Sequence, residues 1–154
     1  MKKIFKNIDV FVSKIDISDK KVVFTNGCFD ILHLGHLRLL KKASQMGDVL
    51  VLGLNTDTSI KILKGEERPI NNQNYRSEML EYFDFIDYII LFENETPLEL
   101  IIKLKPDILV KGGDYKEEEI VGHEFMKRNK GKIVVFDLLE GLSSTSILNK
   151  LKNK

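Results

Sequence analysis

Apolar residues along the chain follow two alternating rhythms. Short, nearly unbroken apolar runs occur at Val22–Asn26, Val49–Leu54, Ile86–Phe92, Ile108–Lys111 and Ile133–Phe136. Runs of this length suit strands covered on both faces, as in a parallel sheet. Between them the spacing becomes helical. Leu37, Leu40, Ala43 and Met46 recur at three-residue steps, and Gly47 stands where a helix C-cap is expected before Asp48. Strand, helix and strand within 22–54 predict a right-handed βαβ unit. Gln73–Phe85 predicts a helix with Tyr75, Met79, Leu80 and Phe83 on its apolar stripe. Thr96-Pro97-Leu98-Glu99 reads as N-cap, N1 proline and capping-box glutamate of a helix ending at Lys105, before Pro106. Glu117–Asn129 predicts a polar helix closed near Gly131, and Ser144–Leu151 a short final one.

Five strands with intervening helices predict a single domain with an open, doubly wound, five-stranded parallel α/β sheet. In such sheets ligands bind beyond the carboxyl ends of the strands, where the strand order reverses. Residues 1–20, with Ile8, Phe11, Val12 and Ile15, read as an amphipathic helix and connector ahead of a domain over 21–154. The helix is expected to pack on the body; a homodimer contact is the alternative.

Composition narrows the class. The chain has 154 residues, 43% hydrophobic and 31% charged, the size of one domain. Six of its 24 positive charges sit in the first six and last five residues, leaving 7–149 with 18 positive against 23 negative. A body of that sign is a poor footprint for nucleic acid. One cysteine, Cys28, cannot form an intramolecular disulfide and suits a reducing, cytoplasmic setting. No apolar run approaches the ~20 residues that span a bilayer, and the N-terminus has no signal-peptide core, so no membrane association is expected.

Candidate chemistry concentrates in Thr25-Asn26-Gly27-Cys28-Phe29-Asp30-Ile31-Leu32-His33-Leu34-Gly35-His36. The segment hands the first buried strand to the first helix. Gly27 allows a ligand close to the backbone, and Gly35 opens a helix whose free N–H groups and dipole favour phosphate. His33 and His36 are expected to reach one phosphate chain. Zinc would need three or four ligands; His123 and Cys28 supply no ligand-spaced cluster, so no metal ligand is assigned. A cationic loop, Lys61 and Lys64-Gly65-Glu66-Glu67-Arg68-Pro69, follows the helix after the second strand. Arg76 opens the next helix, as a surface ion pair or as a companion of that loop. Glu140-Gly141-Leu142-Ser143-Ser144-Thr145-Ser146-Ile147 offers hydroxyls that can both cap a helix and hold phosphates. Val110-Lys111-Gly112-Gly113-Asp114-Tyr115 is a Gly-Gly turn after the fourth strand.

Together these segments resemble the H-x-G-H nucleotidyltransferase superfamily, Rossmann-like enzymes that include cytidylyltransferases and small adenylyltransferases. The likeness runs from Val22 to Leu151. Within it, Asn55-Thr56-Asp57, Leu63-Lys64-Gly65, Arg68-Pro69-Ile70, Thr96-Pro97-Leu98, Val110–Tyr115 and Ile120-Val121-Gly122 are similar to the heptose 1-phosphate adenylyltransferases. That resemblance implies transfer of AMP from ATP to D-glycero-β-D-manno-heptose 1-phosphate, with Mg²⁺ bound through the nucleotide phosphates. It implies catalytic roles for His33, His36 and Lys64. Asn26, Gly27, Cys28, Phe29, Gly35, Glu140, Gly141, Ser143, Ser144 and Thr145 would contact nucleotide. Asp30, Asp57, Arg76, Lys111, Gly112 and Asp114 would line the second-substrate side. Relatives often join this domain to a sugar kinase; the chain begins too late to hold one, so a free-standing adenylyltransferase is expected. Leu148 stands where many relatives place arginine or lysine, which leaves phosphate contacts of the last helix to hydroxyls and amides. Class I aminoacyl-tRNA synthetases share a similar histidine signature, but their second lysine-rich signature is missing. Two alternatives stand beside the heptose reading: a CTP-dependent glycerol 3-phosphate cytidylyltransferase and a non-catalytic nucleotide-binding regulatory module.

Overall fold

The computed structural model describes residues 3–137 and 143–153. Its sheet has six parallel strands: β1 (Ile4–Phe5), β2 (Val22–Gly27), β3 (Val49–Asn55), β4 (Tyr88–Phe92), β5 (Ile108–Gly112) and β6 (Lys132–Phe136). They lie in the order β1-β4-β3-β2-β5-β6. The five expected strands are all present; the sixth, β1, corrects the expected count. It lies in the stretch read as helix and connector, and aligns Ile4 with Ile89 and Phe5 with Ile90 of β4. Two residues carry no readable alternation. What places them is tertiary: the Phe5 ring meets Phe11 and Tyr88 edge-on at 5.2 and 6.1 Å.

The helices are α1 (Ile8–Val12), α2 (Leu34–Ser44), α3 (Asp57–Lys64), α4 (Gln73–Glu81), α5 (Leu98–Leu104), α6 (His123–Arg128) and α7 (Ser144–Lys152). They sandwich the sheet between two apolar layers. One gathers Phe5, Ile8, Phe11, Phe24, Val51, Ile90 and Ile101. The other gathers Val23, Leu40, Ala43, Leu50, Leu52, Leu80 and Ile89. Neighbouring residues of β2, β3 and β4 thus point to opposite layers, which is why these strands read as unbroken apolar runs.

Several helix expectations need correction. Glu117–Asn129 is not one helix: a 3₁₀ turn at Glu117–Glu119 and α6 are separated by Gly122 at φ +91, a conformation that suits glycine. His123 therefore opens a helix rather than lying inside one. Thr96 does not cap α5; Pro97 holds the cap position, and Glu99 instead accepts from Asn94 and Lys103. On α4, Tyr75 and Met79 are exposed, and the inner face is Arg76, Ser77 and Leu80. Helix α2 ends at Ser44, short of Gly47, where a Cβ would stand 2.5 Å from the Lys21 carbonyl oxygen. That close approach, rather than a cap, is the reason for glycine.

The strand order reverses between β2 and β5. Strand β2 stays paired with β3 as far as Gly27 and Leu54. With β5 it pairs only Val23 to Ile108 and Phe24 to Leu109. No pairing between β2 and β5 is recorded beyond those residues, and this is the switch point at which doubly wound sheets take ligands.

Candidate active site

The turn from β2 into α2 is tightly constrained. Phe29 is a buried, non-glycine residue at φ +46, a left-handed conformation that costs free energy unless its surroundings impose it. Its ring lies against Gly27, where an added Cβ would be 2.9 Å away, and against the His36 ring at 5.0 Å. His33 occupies the N-cap of α2 with extended backbone, but its side chain makes no capping bond. Instead the two imidazoles stack, with centroids 3.8 Å apart and planes 22° from parallel. Gly35 makes room for this: a Cβ there would meet the His33 ring at 3.0 Å.

Burial disfavours the charged form of both rings. Burial lowers the His33 pKa below the ordinary histidine value. Burial, then the neighbouring His33 and Lys64, pushes His36 down to about 4. Nδ1 of each ring is buried without a partner among the described residues. The neutral tautomer protonated on Nε2 leaves only an acceptor orphaned inside, and directs a donor outward. Two such donors above the first turn of α2, whose N–H groups lack intrahelical acceptors, form a site suited to phosphate.

Two side-chain clasps hold the surrounding loops. Asp30, buried, accepts from Arg68 Nε at 2.7 Å, from Ile70 N at 2.9 Å and from Asn71 N at 2.8 Å. Burial alone would raise its pKa, but the Asn71 and Ile70 amides and Arg68 together hold the carboxyl below its ordinary value. Arg76 is fully buried. Its Nε donates to Asn71 O, Nη1 to Cys28 O and Asn55 O, and Nη2 to Asp57 Oδ1, all within 2.7–2.9 Å. Arg76 is thus not the surface ion pair that its position in sequence allows. Its donors and both acidic side chains are spent within the protein, organising the site from beneath. Asn71, which no motif singles out, joins both clasps; its only signal in the sequence is its place directly after Arg68-Pro69-Ile70.

Other cations stand free of such clasps. Lys64 ends α3, exposed, just before Gly65 at φ +95. Lys61 pairs loosely with Glu66 at 3.7 Å. Lys111, at the end of β5, donates to Asn26 Oδ1 at 2.9 Å; Gly112 closes that strand and Asp114 lies exposed beyond it. Cys28 lies among these charges: burial pushes its thiol up, against the pull of Lys64, Arg76 and Arg68. A raised thiol pKa does not suit a nucleophile. At the head of α7, Ser143 caps the helix by accepting from Ser146 N, and Ser144 Oγ donates to Ile31 O at 3.1 Å. That bond ties α7 to the histidine loop, with Thr145 exposed beside it. Glu140 and Gly141 lie outside the described residues.

Comparison with known proteins agrees with this geometry. The family model described as cytidylyltransferase-like matches residues 24–150. The bifunctional protein HldE of Campylobacter jejuni (strain RM1221) is 49% identical over 149 residues, 97% of this chain and 32% of that protein. HldE of Helicobacter hepaticus (strain ATCC 51449 / 3B1) is 49% identical over 150 residues, again 97% of this chain and 30% of its own length. The chain therefore spans about a third of the length of the curated relatives it matches. Among solved structures, a lipopolysaccharide core biosynthesis protein from Thermoplasma volcanium GSS1 superposes with TM-score 0.64 at 29% identity, covering 79% of this chain and 99% of that one. A pantoate-beta-alanine ligase from Francisella tularensis, complexed with beta-gamma ATP and beta-alanine, shares the fold at TM-score 0.65 and 20% identity, covering 100% of this chain and 79% of its own.

Proposed function

The chain belongs to the cytidylyltransferase-like family and is a nucleotidyltransferase, and on that premise we propose that it transfers AMP from ATP to D-glycero-β-D-manno-heptose 1-phosphate. The stacked His33–His36 pair at the head of α2, whose burial disfavours the charged form, carries the reading. The sugar is supported by near-half identity to HldE proteins along almost the whole chain, and by the segments Leu63–Ile70 and Val110–Tyr115. The likeness to a lipopolysaccharide core biosynthesis protein, at 29% identity, supports a sugar acceptor.

A phosphate oxygen of the sugar phosphate attacks the α-phosphorus of ATP. As the new P–O bond forms, the bond to the bridging α,β-oxygen breaks in line, and its electron pair leaves with pyrophosphate. The nucleophile is already anionic at neutral pH, so no general base is needed. The protein supplies alignment and neutralisation of charge. Nε2 of His33 and of His36 donates to the nucleotide's phosphates, with the amides of α2's first turn beside them. Lys64, which the structure places at the end of α3 rather than in the loop expected from sequence, is exposed there and reaches over the transferred group. Ser143, Ser144 and Thr145 hold the nucleotide from the α7 side. Mg²⁺ would arrive on the phosphate chain and offset the charge of departing pyrophosphate. Among the described residues no three or more His, Cys, Asp or Glu side chains converge, so most of its oxygen ligands would come from nucleotide and water.

Pyrophosphate release, measured with each nucleoside triphosphate against a panel of sugar and glycerol phosphates, tests the proposal. ATP with heptose 1-phosphate should be the best pair and should require Mg²⁺. A preference for CTP with glycerol 3-phosphate would keep the reaction class and replace the substrates. No release with any pair would leave a regulatory nucleotide-binding module.

A further inference from the structure

Helix α4 is turned inside out relative to an ordinary surface helix. Inward it presents the Arg76 guanidinium, the Ser77 hydroxyl and Leu80. Outward, the helix and its C-cap present Tyr75, Met79 and Tyr82 at i, i+4 and i+7, which are 62, 37 and 79% exposed. Tyr82 is the most exposed large apolar side chain among the described residues. Single exposed apolar residues are normal on a soluble surface, but three in a row over two turns of one helix form a contiguous patch. Tyrosine and methionine are also enriched at the centres of protein interfaces. The amino-terminal segment, by contrast, spends its apolar face on the body, where Ile8 and Phe11 of α1 are buried.

The two flanks of this row carry opposite charge. On the sheet-edge side, Glu78 and Glu81 line a cleft walled by Ile4 of β1 and Leu91 of β4. On the other side lies α2. Its Lys41 ammonium sits 5.0 Å above the ring of Phe85, just beyond α4, and Arg38 lies one turn earlier on the same helix face. Among the described residues none of these four charges has an ion-pair partner. Lys3 lies near the acidic flank, but it donates to the Glu81 carbonyl rather than to a carboxylate. We propose that α4 is the centre of an interface with a second copy of this chain. In a two-fold contact the surface meets its own image, so the flanks decide the arrangement. An axis running across α4 would set Glu78 and Glu81 against their own copies, and Arg38 and Lys41 against theirs. An axis running along α4 sets the acidic flank of each copy on the α2 flank of the other, with Tyr75, Met79 and Tyr82 as the apolar seam between. A partner of another kind would have to reproduce that order of base, apolar row and acid; a second copy supplies it. The association stands apart from the chemistry, because α4 turns Arg76 toward the site and this face away from it.

Sedimentation velocity of the full 154-residue chain over a wide concentration range tests the interface. Wild type should sediment as a dimer that dissociates on dilution. Tyr82→Glu and Met79→Glu should each raise the dimer Kd more than about 10²-fold, because each buries a charge in the apolar seam. Both positions are exposed in the single chain, so the circular dichroism of either variant should match wild type. Ile102→Glu is the control. It charges an exposed apolar position of α5, on the opposite face of the sheet, and should leave the Kd unchanged. Reversing one flank, by Glu78→Lys with Glu81→Lys or by Arg38→Glu with Lys41→Glu, should weaken the dimer roughly 10-fold or more by setting like charges together. Combining the two reversals should restore it. A wild type that stays monomeric throughout would overturn the proposal, as would a dimer that survives both Tyr82→Glu and Met79→Glu. A dimer broken by Ile102→Glu instead would place the interface on the α5 face and overturn it too. Charge reversals that fail to restore one another would overturn the arrangement along α4. None of these readouts uses turnover, so a chain that transfers no nucleotide can still pass or fail this test.

Discussion

At the scale of single residues, the two histidines differ from ordinary surface imidazoles in one measurable respect: the fold discourages their protonation. His36 is held near 4 by burial, His33 and Lys64, against 6.5 when unfolded. Between those values the unfolded chain binds the proton and the native chain does not. The free energy of unfolding therefore falls as pH drops from about 6.5 toward 4. Allowing for the ring's partial exposure, His36 should account for about 1–2 kcal/mol of the stability lost between pH 6.5 and 5. Urea titrations of wild type and His36→Gln should show the variant losing less over that interval; parallel curves would mean that His36 titrates normally. The same substitution should cost turnover about 10²–10³-fold, the usual effect of removing a preorganised donor to a charged transition state. A folded His36→Gln enzyme with near-normal kcat would remove the ring from the chemistry.

At the scale of elements, α2 is built around its second residue. Glycine inside a helix usually costs about 1 kcal/mol relative to alanine, so Gly35→Ala should help α2 by itself. The new Cβ would stand 3.0 Å from the half-buried His33 ring, which can turn aside. Gly35→Ala is therefore expected to leave the thermal midpoint within a few degrees of wild type while lowering kcat/KM more than 10-fold. Equal loss of stability and activity would show that the ring cannot move. Gly47→Ala should behave in the opposite way, since its Cβ would meet the Lys21 carbonyl oxygen at 2.5 Å. Backbone cannot step aside cheaply, and a loss of about 1–3 kcal/mol in urea unfolding, with the active site intact, is expected. These elements also show what was legible in the sequence. The runs at β2 to β6 were readable because strands buried on both faces must be apolar throughout. The two-residue β1 was not, because ring contacts with α1 and β4 place it rather than any local pattern. The break at Gly122 and the outward turn of Tyr75 and Met79 were hidden for a similar reason: backbone conformation and the inward Arg76 decided them.

At the scale of the whole molecule, the site is an assembly of loops that are distant in sequence. The histidines were legible because their spacing, three residues across a helix start, is local. The clasps were not, because Asp30 and Arg68 lie 38 positions apart and Cys28 and Arg76 lie 48. No periodicity marks a charged residue that folds inward to satisfy distant carbonyls. Arg76 makes the strongest case. From α4 it gathers the backbone of Cys28 after β2, of Asn55 at the end of β3 and of Asn71, together with the Asp57 carboxylate at the start of α3. The guanidinium's rigid fork matches these acceptors, and a lysine ammonium cannot reach all four. Arg76→Met would strand three carbonyl oxygens and a carboxylate, so its unfolding free energy should fall by about 3–5 kcal/mol, as for other broken buried pairs. Arg76→Lys should recover only part of this. Activity should fall with it, because the histidine turn and the loop after Lys64 share the clasp, and the loss should appear in kcat as well as in both KM values. If Arg76→Lys is as stable as wild type and only the acceptor KM rises, Arg76 contacts substrate directly and the loops are held by other means.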